Sequence, residues 1–373
     1  MGTYLNEAKR YVMEDAYQLA GFRVRGLELT PSVQTFCNSH GWDCTSPSIH
    51  APPTVQHFLS DVRASCGSMC SGNPITSGSA FEPRGWGESH EMGHNLQAFK
   101  VYDGISSEVS NNIFPLHKKW RLFRELGRLG VGYYNELNDT QAVFDLLSAA
   151  YKNSNLTSDA DKLTKVKQSL WADTSYAAQN RARLYFYLQW VLIYHDVVKE
   201  RNPQLSDAQA WDQAWEVYTL LYLHLRQLNA ASSTTWSSTK AGLGFDQYSI
   251  PPITSSGVNS AGNYPMHDVM LVGLSLITGR DQRPLFDFWG ITTTDAARNQ
   301  VAALKDSSGS PLVAQPIKFY AVVCSDDFRS YAAIDMNAVS PSLPAAWGTS
   351  PFTSQTSNAS ACDQVTNSYL AKQ

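Results

Sequence analysis

The chain has 373 residues, 43% of them hydrophobic and 17% charged, with a formal net charge of −4 at pH 7. This length and apolar content bury one large core or two smaller ones, so the chain is a folded globular protein. The acidic balance gives no reason to expect nucleic acid and no apolar run reaches membrane-span length, while scarce charge beside plentiful Ser, Thr, Asn and aromatics suits secreted enzymes acting on carbohydrate or glycoprotein.

In chain order, a first helix is expected from about Tyr4 to Ala20, with Leu5, Ala8, Tyr11, Val12, Ala16 and Leu19 at helical spacing and Gly21 as its stop. The sequence enters this helix without the basic start and apolar run of a signal peptide, which reads as a truncated or processed piece of a larger protein. Strand candidates before residue 85 are few and short. The six cysteines fit disulfides of an exported enzyme, paired locally as Cys37 with Cys44, Cys66 with Cys70 and Cys324 with Cys362. A structural zinc site built on cysteine needs closer C-x-x-C pairs.

Next comes the run Gly85-Trp86-Gly87-Glu88-Ser89-His90-Glu91-Met92-Gly93-His94, which contains H-E-x-x-H. Helical residues four apart share a face, so His90 and His94 can hold one Zn2+ while Glu91 stands beside the water to be activated. Trp86 is placed at a cleft rim, where an indole face stacks on sugar, or else in the core. Asn95 reads as a helix-surface or outer-sphere residue and not as a ligand. The helix is expected to run through Leu96, Ala98 and Phe99 and to break at Asp103-Gly104, with Ser106 capping the next helix. That return would set Glu108 near its start as third ligand, and Asn112 one turn on, its amide oxygen accepting from a ligand imidazole. The metzincin layout is excluded because Gln97 and Lys100 stand where Gly and His are needed. Glu82, Glu88 and Asp103 lie on the wrong side or in the turn.

Further helices are expected at His117 to Leu129, Gln141 to Tyr151, Arg181 to Lys199 and Asp207 to Arg226, their aromatic stripes serving as packing core. Asn229 to Pro265 is long for a loop and carries Trp236 and Tyr248, which points to a cleft wall, with a bland exposed loop as the alternative. Tyr264 and His267, before the following helix, are candidates to touch substrate or its oxyanion, as is Tyr185, each against a structural reading. From about Pro311 the texture turns β-like, with a strand at Ile317 to Val323. Residues 1–308 are read as the catalytic domain and 309–373 as a small β-rich extension.

The string from Trp86-Gly87 through His90-Glu91-Met92-Gly93-His94-Asn95-Leu96-Gln97 to Glu108-Val109-Ser110-Asn111-Asn112-Ile113-Phe114 resembles the enhancin-like zinc metallopeptidases, metallopeptidase family 60. A second block agrees: Leu274-Ser275-Leu276-Ile277-Thr278-Gly279-Arg280-Asp281 and then Pro284-Leu285-Phe286-Asp287-Phe288-Trp289-Gly290. The segment Cys66 to Pro74 looks most like the bacterial immunomodulating, O-glycopeptidase branch, and the resemblance spans about residues 30 to 300. It implies an α+β, predominantly α fold of gluzincin type, one catalytic zinc, and hydrolysis of peptide bonds in O-glycosylated proteins such as mucins. A monomeric bacterial protein, secreted, cell-surface or periplasmic, is expected. The rival readings are a secreted zinc protease indifferent to glycans and a catalytically silent glycoprotein-binding adhesin.

Overall fold

The computed structural model of the chain describes residues 2–52, 54–60, 69–77, 82–102, 106–126, 140–152, 155–175, 179–231, 234–249, 253–254, 257–258, 265–324, 327–338 and 341–342. The fold is mostly helical, with little strand. The expected first helix forms as Gly2–Ala8, a π-helical stretch Lys9–Glu14, and Asp15–Leu19, and Gly21 at φ 63° ends it. Its buried stripe of Tyr11, Val12, Asp15, Ala16 and Leu19 packs against the helices that carry the site.

The strands ahead of the H-E-x-x-H helix are indeed short. Ile75–Ser77 lies at the centre of a three-stranded sheet, parallel to Phe58–Ser60 and antiparallel to Met69–Cys70, which forms an edge and touches the motif helix. Cys37 and Cys44 are joined, closing the end of helix Pro31–Ser39. Cys70 is also disulfide-bonded. Its expected partner Cys66 lies outside the described residues, as does Cys362.

The centre of the molecule is the helix Asn180–Arg201, buried on nearly every side, with its buried polar side chains Arg183 and Gln189 bonded to backbone carbonyls. Tyr185, Tyr187 and Trp190 are wholly buried in it, so Tyr185 is core. Around it pack Ile113–Leu126, Thr140–Tyr151 and Asp207–Ala214. The single helix expected from Asp207 to Arg226 is two, because the chain turns at Trp215 and resumes as Glu216–Ala230.

The expected strand near the C-terminal end is Lys318–Cys324, antiparallel to Asp327–Asp335. It is bound to the central helix: Tyr320 N–H donates to Gln189 Oε1 at 2.8 Å, and Gln189 Nε2 donates to Tyr320 O at 2.9 Å. One glutamine thus satisfies both backbone groups of a buried residue. Phe319, Tyr320 and Val322 join the same apolar cluster as the helices.

Within Asn229 to Pro265 the two aromatics that pointed to a cleft wall face inward. Trp236 and Tyr248 are buried, and Trp236 Nε1 donates to Tyr248 O at 3.0 Å, so these aromatics fasten the segment down. Among the described residues no helix is long and apolar enough to cross a membrane.

Candidate metal centre and active site

The motif helix spans Gly87–Leu96, shorter than expected: Gln97 adopts extended backbone at ψ 134°. Its entry is fixed from below by Lys118, a residue of the Ile113–Leu126 helix whose ammonium donates to the carbonyls of Gly85 and Pro83. Burial pushes the Lys118 pKa down to about 8. Glu88 accepts from Glu82 N–H at 2.6 Å and is raised in pKa by its own burial.

The return segment also differs from expectation. Ser106 caps no helix; its hydroxyl donates to Val101 O at 2.8 Å, and a turn carries the chain to the 3-10 segment Ser110–Asn112 before the helix begins at Ile113. Glu108 therefore projects from a turn. The turn can approach the motif helix only because residue 93 is glycine: a Cβ there would lie 2.4 Å from Asn111 O. Tyr187, from the central helix, holds the intervening loop by accepting from Val101 N–H at 2.9 Å.

The result is convergence. His90 Nε2 lies 3.1 Å from Glu108 Oε2 and His94 Nε2 lies 3.2 Å from Glu108 Oε1, and the three ligand atoms fall within 4.8 Å of one another. The two rings are nearly perpendicular, at 87°. His90 Nδ1 is 2.6 Å from Asn112 Oδ1, which also accepts from Trp86 Nε1 at 3.2 Å, while Asn112 Nδ2 donates to Glu108 O at 2.9 Å. Indole is a donor only, so the amide oxygen faces His90, the ring proton sits on Nδ1, and the Nε2 lone pair points toward Glu108. Two imidazole nitrogens and one carboxylate, with an outer acceptor fixing a tautomer, are a donor set that suits Zn2+.

The charges follow from this closeness. When the two rings are protonated, their Nε2–H groups donate to Glu108, His90 first, and hold its carboxyl down at about 2. Burial works against protonation of His90, but Glu108 and Asn112 outweigh it and its pKa rises. Glu91 is half-buried, and that burial raises its pKa against the pull of His90 and His94, with the Ser71 backbone as a hydrogen-bond partner. Asn95 tethers the neighbouring strand turn, accepting from Gly72 N–H at 2.8 Å and donating to Gly72 O at 2.7 Å.

Trp86 is not at a rim. It is 5% exposed, bonded to Asn112 and covered by Lys119, because the face it shares with His90 runs into the Ile113–Leu126 helix one turn back. His267 is 6% exposed on the helix Met266–Thr278 and packs its ring 5.0 Å from that of Tyr102. Tyr264 lies outside the described residues. Sequence reasoning missed Lys118, whose charge alone gave no sign of burial. It also missed Asn111, whose Nδ2 is 3.2 and 3.0 Å from the Nε2 atoms of His90 and His94. The second sequence block supports the loop after the motif helix: Tyr102 Oη donates to Gly290 O at 3.1 Å. Gly290, at φ 70°, leaves no room for a side chain, since a Cβ would lie 2.5 Å from Lys167 N.

A family model described as peptidase M60, enhancin and enhancin-like, matches residues 31–290. The immunomodulating metalloprotease of Pseudomonas aeruginosa is 40% identical over 347 residues, covering 91% of this chain and 34% of that protein. Among solved structures, the IMPa metallopeptidase in complex with T-antigen aligns at a TM-score of 0.77 and 38% identity, over 92% of this chain and 35% of that one. IMPa from Pseudomonas aeruginosa in complex with an O-glycopeptide aligns at 0.76 and 38% identity, over 90% and 35%. The chain thus spans about a third of the length of these relatives.

Proposed function

This chain belongs to the M60 peptidases, the enhancin and enhancin-like family, and from that premise we propose that it is a zinc-dependent endopeptidase of gluzincin type acting on O-glycosylated, mucin-like proteins. The observation that carries the chemistry is the convergence of His90, His94 and Glu108 with Glu91 one residue along the same helix. His90, His94 and Glu108 would hold the metal, and zinc there would supply Lewis acidity to polarise a carbonyl and acidify water. Glu91 takes a proton from the attacking water and returns it to the leaving nitrogen, a task suited to a carboxyl whose pKa burial has raised. Asn112 keeps His90 in the tautomer that binds.

The substrate reading rests on relatives solved with T-antigen and with an O-glycopeptide. With it go an exported, monomeric protein and a catalytic domain of residues 1–308 followed by a small extension from 309, of which residues 343–373 lie outside the described residues. The test combines metal analysis with mass mapping of products from one defined O-glycopeptide, before and after enzymatic removal of its glycan. One bound zinc and cleavage only of the glycosylated form are expected. Equal cleavage of both forms would leave a zinc protease without glycan dependence, and absence of zinc would remove the mechanism.

A further inference from the structure

His90 and His94 are held by different devices, and only the first was expected. Asn112 has its orientation fixed by Trp86, as above. At His94 the facing group is the Gln97 side chain: its amide lies 2.8 Å from His94 Nδ1 through Nε2, and its Oε1 lies 2.7 Å from the hydroxyl of Ser110, which is buried. Gln97 is three residues after His94, hence on the same face, and its backbone leaves the helix there so that its side chain folds back over the ring.

The two ends of an amide exchange by a half-turn, and the choice is made by the hydrogen-bond network. With nitrogen toward His94, Nδ1 must accept, and the ring proton is driven onto Nε2, the atom facing Glu108. With oxygen toward His94, Nδ1–H donates and the Nε2 lone pair is free. Ser110 serves both arrangements, because a hydroxyl donates or accepts by rotating.

We propose that Gln97, anchored by Ser110, is the positioning residue for His94: its amide oxygen accepts from Nδ1–H and so presents the Nε2 lone pair toward the His90–Glu108 side, as Asn112 does for His90. This rests on the reading of His94 as a zinc ligand. The mechanism needs an acceptor at position 97 and not merely bulk, which separates it from packing.

The test is zinc affinity by competition with a chromophoric chelator, with thermal unfolding of each metal-free variant as the check on folding. Gln97→Leu should weaken zinc binding by roughly 10–100-fold, the usual cost of losing such a partner. Gln97→Glu, which keeps an acceptor oxygen, should restore most of it. Adding Ser110→Ala to Gln97→Leu should cause no further loss, since Ser110 acts through Gln97. Undiminished affinity in Gln97→Leu, or a folded Gln97→Glu no better than Gln97→Leu, would overturn the proposal, and an additive loss would remove Ser110 from it. Failure of the unsubstituted protein to bind zinc would instead overturn the site reading itself.

Discussion

Carboxylate meets imidazole at Asp196 and again at Glu108, and the two clusters are wired in opposite ways. At Asp196, Tyr320 Oη donates to Oδ2 at 2.8 Å and Tyr331 Oη donates to Oδ1, while His195 Nδ1 stands 3.0 Å from Tyr331 Oη. The Tyr331 proton is committed to Asp196, so its oxygen accepts from His195 Nδ1–H. Burial, and then the Asp196 charge, push both phenol pKa values well up, and the protons stay in place. At Glu108 the carboxylate instead faces two Nε2 atoms, and the side-chain amides of Asn112 and Gln97 occupy the Nδ1 positions. A cluster saturated with protons ties the hairpin to the central helix. A cluster whose lone pairs converge is built to receive a cation.

The contrast breaks most visibly in activity. Glu91→Gln should lower the cleavage rate by roughly 10²–10⁴-fold, the usual worth of a general acid–base, with zinc content and unfolding midpoint unchanged. A variant that cleaves an O-glycopeptide at the original rate would take Glu91 out of the chemistry. Glu108→Ala should lose stoichiometric zinc in elemental analysis. Asp196→Ala should leave zinc content as it was, and zinc loss in both would erase the distinction drawn between them.

Much of this was legible in the sequence, for reasons that particular residues make plain. His90, Glu91 and His94 are set by helical period alone, and Asn112 by its spacing from Glu108. The path to Glu108 was not legible, because Ser106 spends its hydroxyl on Val101 O and the helix starts only at Ile113. Trp86 was legible as a neighbour of His90, but the choice between rim and core was not, since the helix that covers it comes from residues 113–126. Gln97 was read for the glycine it is not and as the end of a family string, although its spacing from His94 already placed it on the ligand face. Local periodicity reports faces, and what covers a face is decided by distant chain.

Smaller effects test the other half of the comparison. Asp196→Ala leaves two tyrosine hydroxyls without their acceptor, which should cost about 1–3 kcal/mol of unfolding free energy in a denaturant titration. Tyr331→Phe, which removes one hydroxyl and keeps the ring, should cost about 1 kcal/mol. A loss in Tyr331→Phe as large as in Asp196→Ala would mean that Tyr320 adds nothing.

The least of the effects is in the acid limb of stability, and its sign is fixed by the hydrogen bonds. Burial opposes ionisation of Asp196, but His195, Tyr331 and Tyr320 outweigh it and hold its pKa below the ordinary 3.8. The unfolded chain therefore binds a proton at this position before the folded one does. The stability this group contributes is complete above the ordinary aspartate range and drains away as pH falls from about 4 through the lower folded value. Asp196→Asn cannot titrate, so its unfolding free energy should fall less steeply than that of the unsubstituted protein over that window, with the two slopes equal above pH 5. Denaturant midpoints at a series of pH values decide it. Curves that stay parallel below pH 4 would mean that Asp196 enters the fold at its ordinary pKa, and the hairpin latch would then owe its strength to the edge-on packing of Tyr331 against Trp211, whose ring centroids lie 6.0 Å apart, and not to the carboxylate.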